Sequence, residues 1–181
     1  KSATEILHDT EDQAQRSKLT DILNHDVQRI ERLITDYSQM LKDEVALSRE
    51  KMKKINLKLI VRSVVDDFNN IYEVKRGIKI DLNDFNNQEE YFINGIENRI
   101  EQIIANLLDN SISFSGDNQK ISVEIYKDEN EKVVLRVVDE GKGFKETTTK
   151  RIFDRFYTNR PDNFGEHSGL GLNIVKNLVD L

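Results

Sequence analysis

Cysteine is missing from this chain of 181 residues, and proline occurs once, at Pro161. Without cysteine the chain can form neither a disulfide nor a thiolate metal site, which fits a reducing compartment. The net charge is −6 and the sequence has no basic tract, so nucleic acid is not an expected partner. No apolar run approaches the length of a transmembrane helix, and no signal peptide is recognisable.

Charged residues are abundant instead, at 33% of the chain beside 37% hydrophobic residues. That balance predicts a core of modest size and a large amount of solvated helix. The length is enough for one ordinary domain with an appendage.

Residues 1–54 have the pattern of helix. Their apolar positions recur at spacings of three and four, as in bundle or coiled-coil helices. The polar stretch 8–12 predicts a turn between the end of a first helix, residues 1–7, and a second helix. Two such helices bury little alone, so we expect a dimer that completes a four-helix bundle. The alternative is a single long solvated helix. The apolar positions are Leu19, Ile22, Leu23, Val27, Ile30, Leu33, Ile34, Tyr37, Met40 and Leu41.

From residue 55 onward the pattern predicts alternating strands and helices. A short strand or linker over Ile55–Leu57 precedes an amphipathic helix over Leu59–Val74, and Gly77 is its expected stop. Later apolar and β-branched runs predict strands, of which the last two form a hairpin. These strands are Ile78–Leu82, Tyr91–Asn94, Ile121–Tyr126 and Val133–Val138.

The stretch Glu101–Ser111 predicts a buried helix with two carboxamides on one face. Asn106 and Asn110 are four residues apart and therefore neighbours on a helix. Asn is a poor helix former, so two of them in an apolar helix need a reason. A neutral carboxamide can bind a Mg²⁺ ion that already carries a triphosphate, without repelling the phosphates. The alternative is a pair of structural amides bonded to nearby backbone.

Glycines follow the predicted helix and strands at two further places. Asp139 ends a strand and precedes Gly141 and Gly143, so its carboxylate can accept a hydrogen bond from an exocyclic amine while the glycines admit a flat ring. An ordinary turn is the alternative. Ser168 can cap a final helix, where Gly169 and Gly171 would leave N–H groups open to phosphate. Between them Arg151–Tyr157 forms an aromatic and basic cluster, which alternatively is a small satellite core.

In this order the four elements resemble the ATP-binding domain of sensor histidine kinases, within the superfamily of DNA gyrase B, Hsp90 and MutL. The helix with Asn106 and Asn110 is similar to that family's N box, and the Asp139 segment to its G1 box. Phe153–Tyr157 is similar to the F box and Ser168–Leu172 to the G2 box. The amino-acid sequences of residues 109–115 and 155–161 resemble the corresponding segments of the envelope-sensing kinases of alphaproteobacteria.

The resemblance implies an α+β fold in two parts. Residues 1–54 would be a helical hairpin for dimerisation, and residues 55–181 an α/β sandwich of the Bergerat type that binds ATP with Mg²⁺. The implied metal ligands are Asn110 and Asn106, and the lid cations are Arg155 and Arg160. The implied nucleotide-binding residues are Asn106, Asn110, Ser113, Phe114, Asp139, Gly141, Gly143, Ser168, Gly169, Leu170, Gly171 and Leu172.

The same resemblance implies a protein-histidine kinase. It would pass the ATP γ-phosphoryl group to a histidine of its own dimer and then to a response-regulator aspartate. It would be the cytoplasmic portion of an inner-membrane sensor, with the membrane segments outside this chain. A gyrase-like ATPase is one alternative, but Asn106 stands where that branch has its water-activating Glu. A dimerisation module with a vestigial nucleotide site is another.

Two departures from the family's pattern affect the expected phosphate binding and self-phosphorylation of this chain. Ser113 stands where a phosphate-binding Lys is common, and Lys120, Arg160 or Lys145 could compensate. The acceptor histidine is followed by an acidic residue and, five residues after the histidine, by proline. His8 and His25 lack that proline, and His167 lies in the expected lid. We therefore expect a chain that starts downstream of the acceptor and ends before the family's last strands, and that binds ATP without phosphorylating itself.

Overall fold

The computed structural model describes residues 13–47, 51–84, 90–143, 149–155, 157 and 169–180. These residues form both helices and strands, so the predicted α+β class is confirmed. In chain order the elements are α1 (Gln13–Leu47), β1 (Lys53–Asn56), α2 (Leu57–Arg76), β2 (Lys79–Asp84), β3 (Phe92–Gly95), α3 (Glu97–Phe114), β4 (Lys120–Lys127), β5 (Val133–Asp139), a 3-10 helix (Thr149–Phe153) and α4 (Gly171–Val179).

Helix α1 is a single run of 35 residues, which confirms the predicted helix over Gln13–Leu47. The prediction of helix as far as residue 54 was wrong at its end, because Lys53 and Lys54 belong to β1 and pair with β3. Several apolar side chains of its predicted stripe are exposed, between 42% and 61%: Ile22, Val27, Ile30, Ile34 and Tyr37. The expected turn at 8–12 and the first helix lie outside the described residues, so the hairpin stays a prediction. Among the helices that the structure describes, none combines the length and the apolar character needed to cross a bilayer.

Local sequence signals determine both ends of α2. The Asn56 side chain accepts a hydrogen bond from the Lys58 N–H at 3.1 Å and so caps the first turn. Gly77 ends the helix with a left-handed φ of 63°, as predicted. The expected strand over Ile55–Leu57 was misplaced, because Lys53 already pairs with β3 and the Asn56 cap makes Leu57 the first helical residue.

The described strands form two sheets. β1 pairs antiparallel with β3, while β4 lies between β2, which is parallel to it, and β5, which is antiparallel. The predicted β4–β5 hairpin is therefore confirmed. In its turn, Asp128 accepts hydrogen bonds from the N–H groups of Lys132 and Asn130, and these lower the pKa of its carboxyl group.

The core lies between the three-stranded sheet and the helices α2 and α3. Alternate residues of β4 face inward and are fully buried, as period-two packing requires. They join the apolar faces of the two helices in one cluster, which includes Val61, Val65, Ile104, Leu108, Ile121, Val123 and Ile125. This packing fixes α3 on the sheet and thereby positions its two carboxamides.

Gly77→Ala is expected to lower the free energy of unfolding by about 1–2 kcal/mol, because an alanine is strained in the left-handed region. Its Cβ would also overlap the Asn118 side-chain oxygen. Urea denaturation of the full chain measures the loss. Gly116→Ala is the matched control, since its Cβ would make only ordinary contacts at 3.5 Å with Gln119. An equal loss in both variants would contradict the assigned role of Gly77.

Candidate functional site

Asn106 lies on the half-buried side of α3, where this helix packs along α4. Its amide Nδ2 donates to the Gln102 carbonyl at 2.9 Å, which fixes the orientation of the carboxamide. Its Oδ1 lies 3.2 Å from the position that a Cβ on Gly171 would take. The carboxamide oxygen of the predicted N box therefore borders the first residue of α4. Asn110 is half-buried one turn further along the same helix.

Helix α4 begins at Gly171, two residues later than the predicted cap at Ser168 implies, with Leu170 in the cap position and no side-chain cap. The delay has a conformational reason: Gly169 has a φ of 68°, which a right-handed helix cannot include. Ser168 itself lies outside the described residues. The first turn of a helix has no internal acceptor for its N–H groups, so α4 offers those of Gly171 and Leu172 at the Asn106 carboxamide.

Asp139 ends β5 and is half-buried. Its Oδ1 accepts a hydrogen bond from the Gly141 N–H at 2.9 Å, which orients the carboxylate. A Cβ on Gly141 would lie 2.6 Å from the Phe114 carbonyl oxygen, so this glycine is required by the close approach of the end of α3. The side of Gly141 that a Cβ would occupy therefore faces the end of α3, and the room for a flat ring stays a prediction. Gly143 is exposed, with a left-handed φ of 68°.

Two hydrogen bonds that sequence reasoning missed tie the Asp139 segment to the residues that follow α3, and a third holds Gln119 in place for one of them. The Gln119 side chain accepts from the Gly116 N–H at 2.6 Å and donates to the Glu140 carbonyl at 3.3 Å. The Glu140 carboxylate accepts from the Lys120 N–H at 3.0 Å. The end of α3 and the Asp139 segment therefore form one connected unit. No local pattern indicates these pairs.

Asn173 was also missed as a functional residue. Its Nδ2 donates to the Phe153 carbonyl at 2.9 Å and so joins α4 to the 3-10 helix of the predicted F box. The guanidinium of Arg151 lies over the Tyr157 ring, 5.8 Å from its centroid. The only available signal for Asn173 was a polar residue within the apolar run of the last helix.

The remaining predicted residues have varied surroundings. Ser113 is buried, and its hydroxyl donates to the Asp109 carbonyl at 2.7 Å. Leu170 is fully buried, Phe114 and Leu172 are half-buried, and Arg155 is exposed. Several predicted residues lie outside the described part of the chain: Arg160, Lys145, His8, His167 and the side chain of His25.

The residues around Asn106 fit a Mg²⁺ ion that arrives with phosphate oxygens. Within the residues that the structure describes, no group of three or more His, Asp or Glu side chains could hold a metal by itself. Mg²⁺ bound with a nucleotide needs only one or two protein ligands, because phosphates and waters complete its octahedron. The carboxamide oxygen beside a helix N-terminus provides such a ligand together with donors for an anion.

Comparison with known proteins assigns the family. Residues 95–181 match the family described as histidine kinase-, DNA gyrase B-, and HSP90-like ATPase. Over 99% of its length the chain is 32% identical to the sensor protein ChvG of Agrobacterium fabrum, of which it covers 31%. The chain carries the domain of this ATPase family in residues 95–181, and over nearly its whole length it is similar to sensor histidine kinases. It is also 33% identical to ChvG of Rhizobium meliloti, over 99% of this chain and 32% of that protein.

Solved structures agree with this assignment to the kinase branch. The catalytic domain of histidine kinase ThkA is 26% identical, with a TM-score of 0.61 over 72% of this chain and 81% of that one. Full-length ShkA in complex with AMPPNP, at 21% identity, is similar in fold, with a TM-score of 0.65 over 96% of this chain and 35% of that one. The chain spans about a third of the length of these two curated relatives.

Gly141→Ala is expected to lower the free energy of unfolding by about 1–3 kcal/mol, because its Cβ overlaps the Phe114 carbonyl and the backbone must shift. Hydrogen exchange should accelerate at residues 139–143 and at the end of α3. Gly143→Ala is the control: its φ makes it strained as well, but nothing lies within 4 Å of its Cβ. Faster exchange at the end of α3 in both variants would contradict the packing role of Gly141.

Proposed function

We propose that this chain is the ATP-binding catalytic portion of a sensor histidine kinase, residues 55–181, preceded by dimerisation helices in residues 1–54. In the whole protein the γ-phosphoryl group would pass from ATP to a histidine of the same dimer. The bond from γ-phosphorus to the β–γ bridging oxygen breaks, a phosphorus–nitrogen bond to imidazole forms, and ADP leaves. The phosphoryl group would then pass to an aspartate of a response regulator.

The contact between Asn106 and Gly171 carries this proposal. Phosphoryl transfer requires positioned phosphates and neutralised charge more than it requires covalent chemistry from the protein. Asn106 and Asn110 would bind Mg²⁺, which neutralises phosphate charge when bound. The N–H groups at Gly169, Gly171 and Leu172 would face the phosphates at the start of α4. We include Ser168 in this proposal as a phosphate contact, and Arg155 and Arg160 as cations of the lid.

Asp139 would recognise adenine. Its carboxylate is held by the Gly141 N–H at 2.9 Å through Oδ1, and a carboxylate has further acceptor positions for an exocyclic amine. Phe114 is half-buried beside this segment and would line the ring's pocket. The adenine and phosphate ends of the nucleotide would thus meet two different parts of α3 and its neighbours.

Asn106 also favours transfer to a protein acceptor over hydrolysis. A carboxamide cannot remove a proton from water, whereas the Glu of gyrase-type ATPases can act as a general base.

The exposed apolar stripe of α1 supports pairing of two copies through that helix. ThkA, a kinase of similar fold, has been solved in complex with the response regulator TrrA. A regulator receiver domain is therefore our proposed partner, and the membrane sensor our proposed setting.

Asp139→Asn is expected to weaken ATP binding by about 10- to 100-fold, because a hydrogen bond to a charged acceptor is lost. The variant keeps an Oδ1 for the Gly141 N–H, so the segment itself should stay in place. Isothermal titration calorimetry with ATP measures the affinity. Asp81→Asn is the control, since Asp81 pairs with Lys79 on β2 at 3.2 Å. Unchanged affinity in Asp139→Asn would contradict adenine recognition and favour a vestigial site.

Asn106→Ala and Asn110→Ala are each expected to remove much of the gain in ATP affinity that Mg²⁺ gives, because a metal ligand is lost. Affinity in EDTA should change little. Titrations of each variant with and without Mg²⁺ measure the ratio. The exposed Asn94 provides the control Asn94→Ala. A Mg²⁺ effect equal to that of the unaltered protein in both variants would rule out the carboxamides as metal ligands.

A further inference from the structure

Arg76, the last residue of α2, makes an extensive contact that the proposed function does not use. Its Nη1 donates to the Ile112 carbonyl at 2.9 Å and its Nη2 to the Ser115 carbonyl at 2.8 Å. Its Nε pairs with Asp117 at 2.7 Å. The Arg76 side chain is only 18% exposed, whereas that of Asp117 is 69% exposed. The two carbonyl contacts are therefore the shielded part of this arrangement.

The guanidinium of Arg76 lies at the C-terminal end of α3, where a cation is stabilising. Ile112 lies in the last turn of α3 and Ser115 is its C-cap, so their carbonyls are at the negative end of the helix dipole. A planar guanidinium can serve two such acceptors at once, as a lysine ammonium cannot with the same geometry. The Asn118 N–H donates back to the Arg76 carbonyl at 3.0 Å. Arg76 thus holds α3 and the residues after it through both side chain and backbone.

The residues held by Arg76 are the ones that contact the Asp139 segment. The Phe114 carbonyl lies against Gly141, at 2.6 Å from where its Cβ would be. Gln119 donates to the Glu140 carbonyl, and the Lys120 N–H donates to the Glu140 carboxylate. A continuous series of contacts therefore runs from Arg76 through residues 112–120 to the carboxylate of Asp139.

We infer that Arg76 is a positioning residue for the adenine end of the nucleotide site. It holds the end of α3 and residues 115–120 where they support the Asp139 segment, without touching nucleotide itself. This inference rests on the proposed function, because Asp139 is the group whose position Arg76 secures. The half-buried hydrogen bonds from the guanidinium to the Ile112 and Ser115 carbonyls carry the effect, and the ion pair with the exposed Asp117 contributes little.

Arg76→Gln tests the inference by two measurements on the full chain, made well below the unfolding temperature of every variant. Hydrogen exchange of the nucleotide-free protein should accelerate at residues 112–120 and also at 139–143. The dissociation constant for ADP should rise by about 2- to 30-fold, as expected for a residue that acts through a network. Faster exchange at 112–120 reports the loss of the Arg76 contacts at the end of α3. Faster exchange at 139–143 reports that this loss reaches the Asp139 segment.

Two control variants separate positioning from general stability. Asn69→Ala removes two hydrogen bonds between α2 and β2, from Nδ2 to the Ile80 carbonyl at 2.9 Å and from the Ile80 N–H to Oδ1 at 2.8 Å. It should destabilise the protein but leave the ADP affinity and the exchange at 139–143 unchanged. Asp117→Asn removes only the exposed ion pair and should change the ADP affinity less than twofold.

Several results would overturn the inference. If Arg76→Gln accelerates exchange at 112–120 alone and binds ADP normally, Arg76 is a helix cap and no more. An equal loss of affinity in Asn69→Ala would attribute the effect to stability, and an equal loss in Asp117→Asn would attribute it to the surface ion pair. If the unaltered, folded protein binds no ADP, the proposed function fails and this inference fails with it, whereas normal binding that ignores Arg76→Gln removes the inference alone.

Discussion

The proposed nucleotide site depends on one close approach, between the Asn106 carboxamide on α3 and Gly171 at the start of α4. A side chain at position 171 would meet the carboxamide oxygen at 3.2 Å, so glycine allows a neutral ligand and a helix N-terminus to share one place. Neutrality matters because a carboxylate there would repel phosphates and could activate water. In the proposed site, this approach would place a neutral metal ligand beside N–H donors for phosphate.

The two ends of the proposed nucleotide site are held by different means. The phosphate end is held by helix packing, with Asn173 joining α4 to the Phe153 carbonyl. The adenine end is held by polar contacts, in which backbone of α3 lies against Gly141 and Glu140 bonds to residues 119 and 120. Arg76 connects this second arrangement to α2. The two ends can therefore be perturbed separately by substitutions that leave the core intact.

Local signals allowed much of the fold to be predicted. Amphipathic periodicity and Gly77 define α2, and the apolar runs define the β4–β5 hairpin, because these elements are determined by neighbours in sequence. The predicted start of α4 was wrong. The cap signal at Ser168 is local, whereas the left-handed φ of Gly169 and the burial of Leu170 depend on the surrounding fold. The first strand was misplaced for a similar reason, since its pairing with β3 is not visible in its own residues.

The candidate site was predictable as a set of residues but not as an arrangement. Asn106, Asp139 and Gly171 could be selected by residue type and order. The contact of Gly141 with the Phe114 carbonyl joins two separate elements, and the contacts of Arg76 join residues that are 36 and 39 apart. Neither has a periodic or compositional signal. Tertiary structure was needed to find the groups that hold the site together.

Nuclear magnetic resonance of the folded chain, titrated with Mg·ADP, tests the site most directly. We expect saturable shifts concentrated on the backbone amides of Gly171 and Leu172, on the side-chain amides of Asn106 and Asn110, and on the Gly141 amide beside Asp139. Shifts confined to other surfaces, or none at all in a well-folded sample, would contradict the assignment of these residues to the nucleotide site.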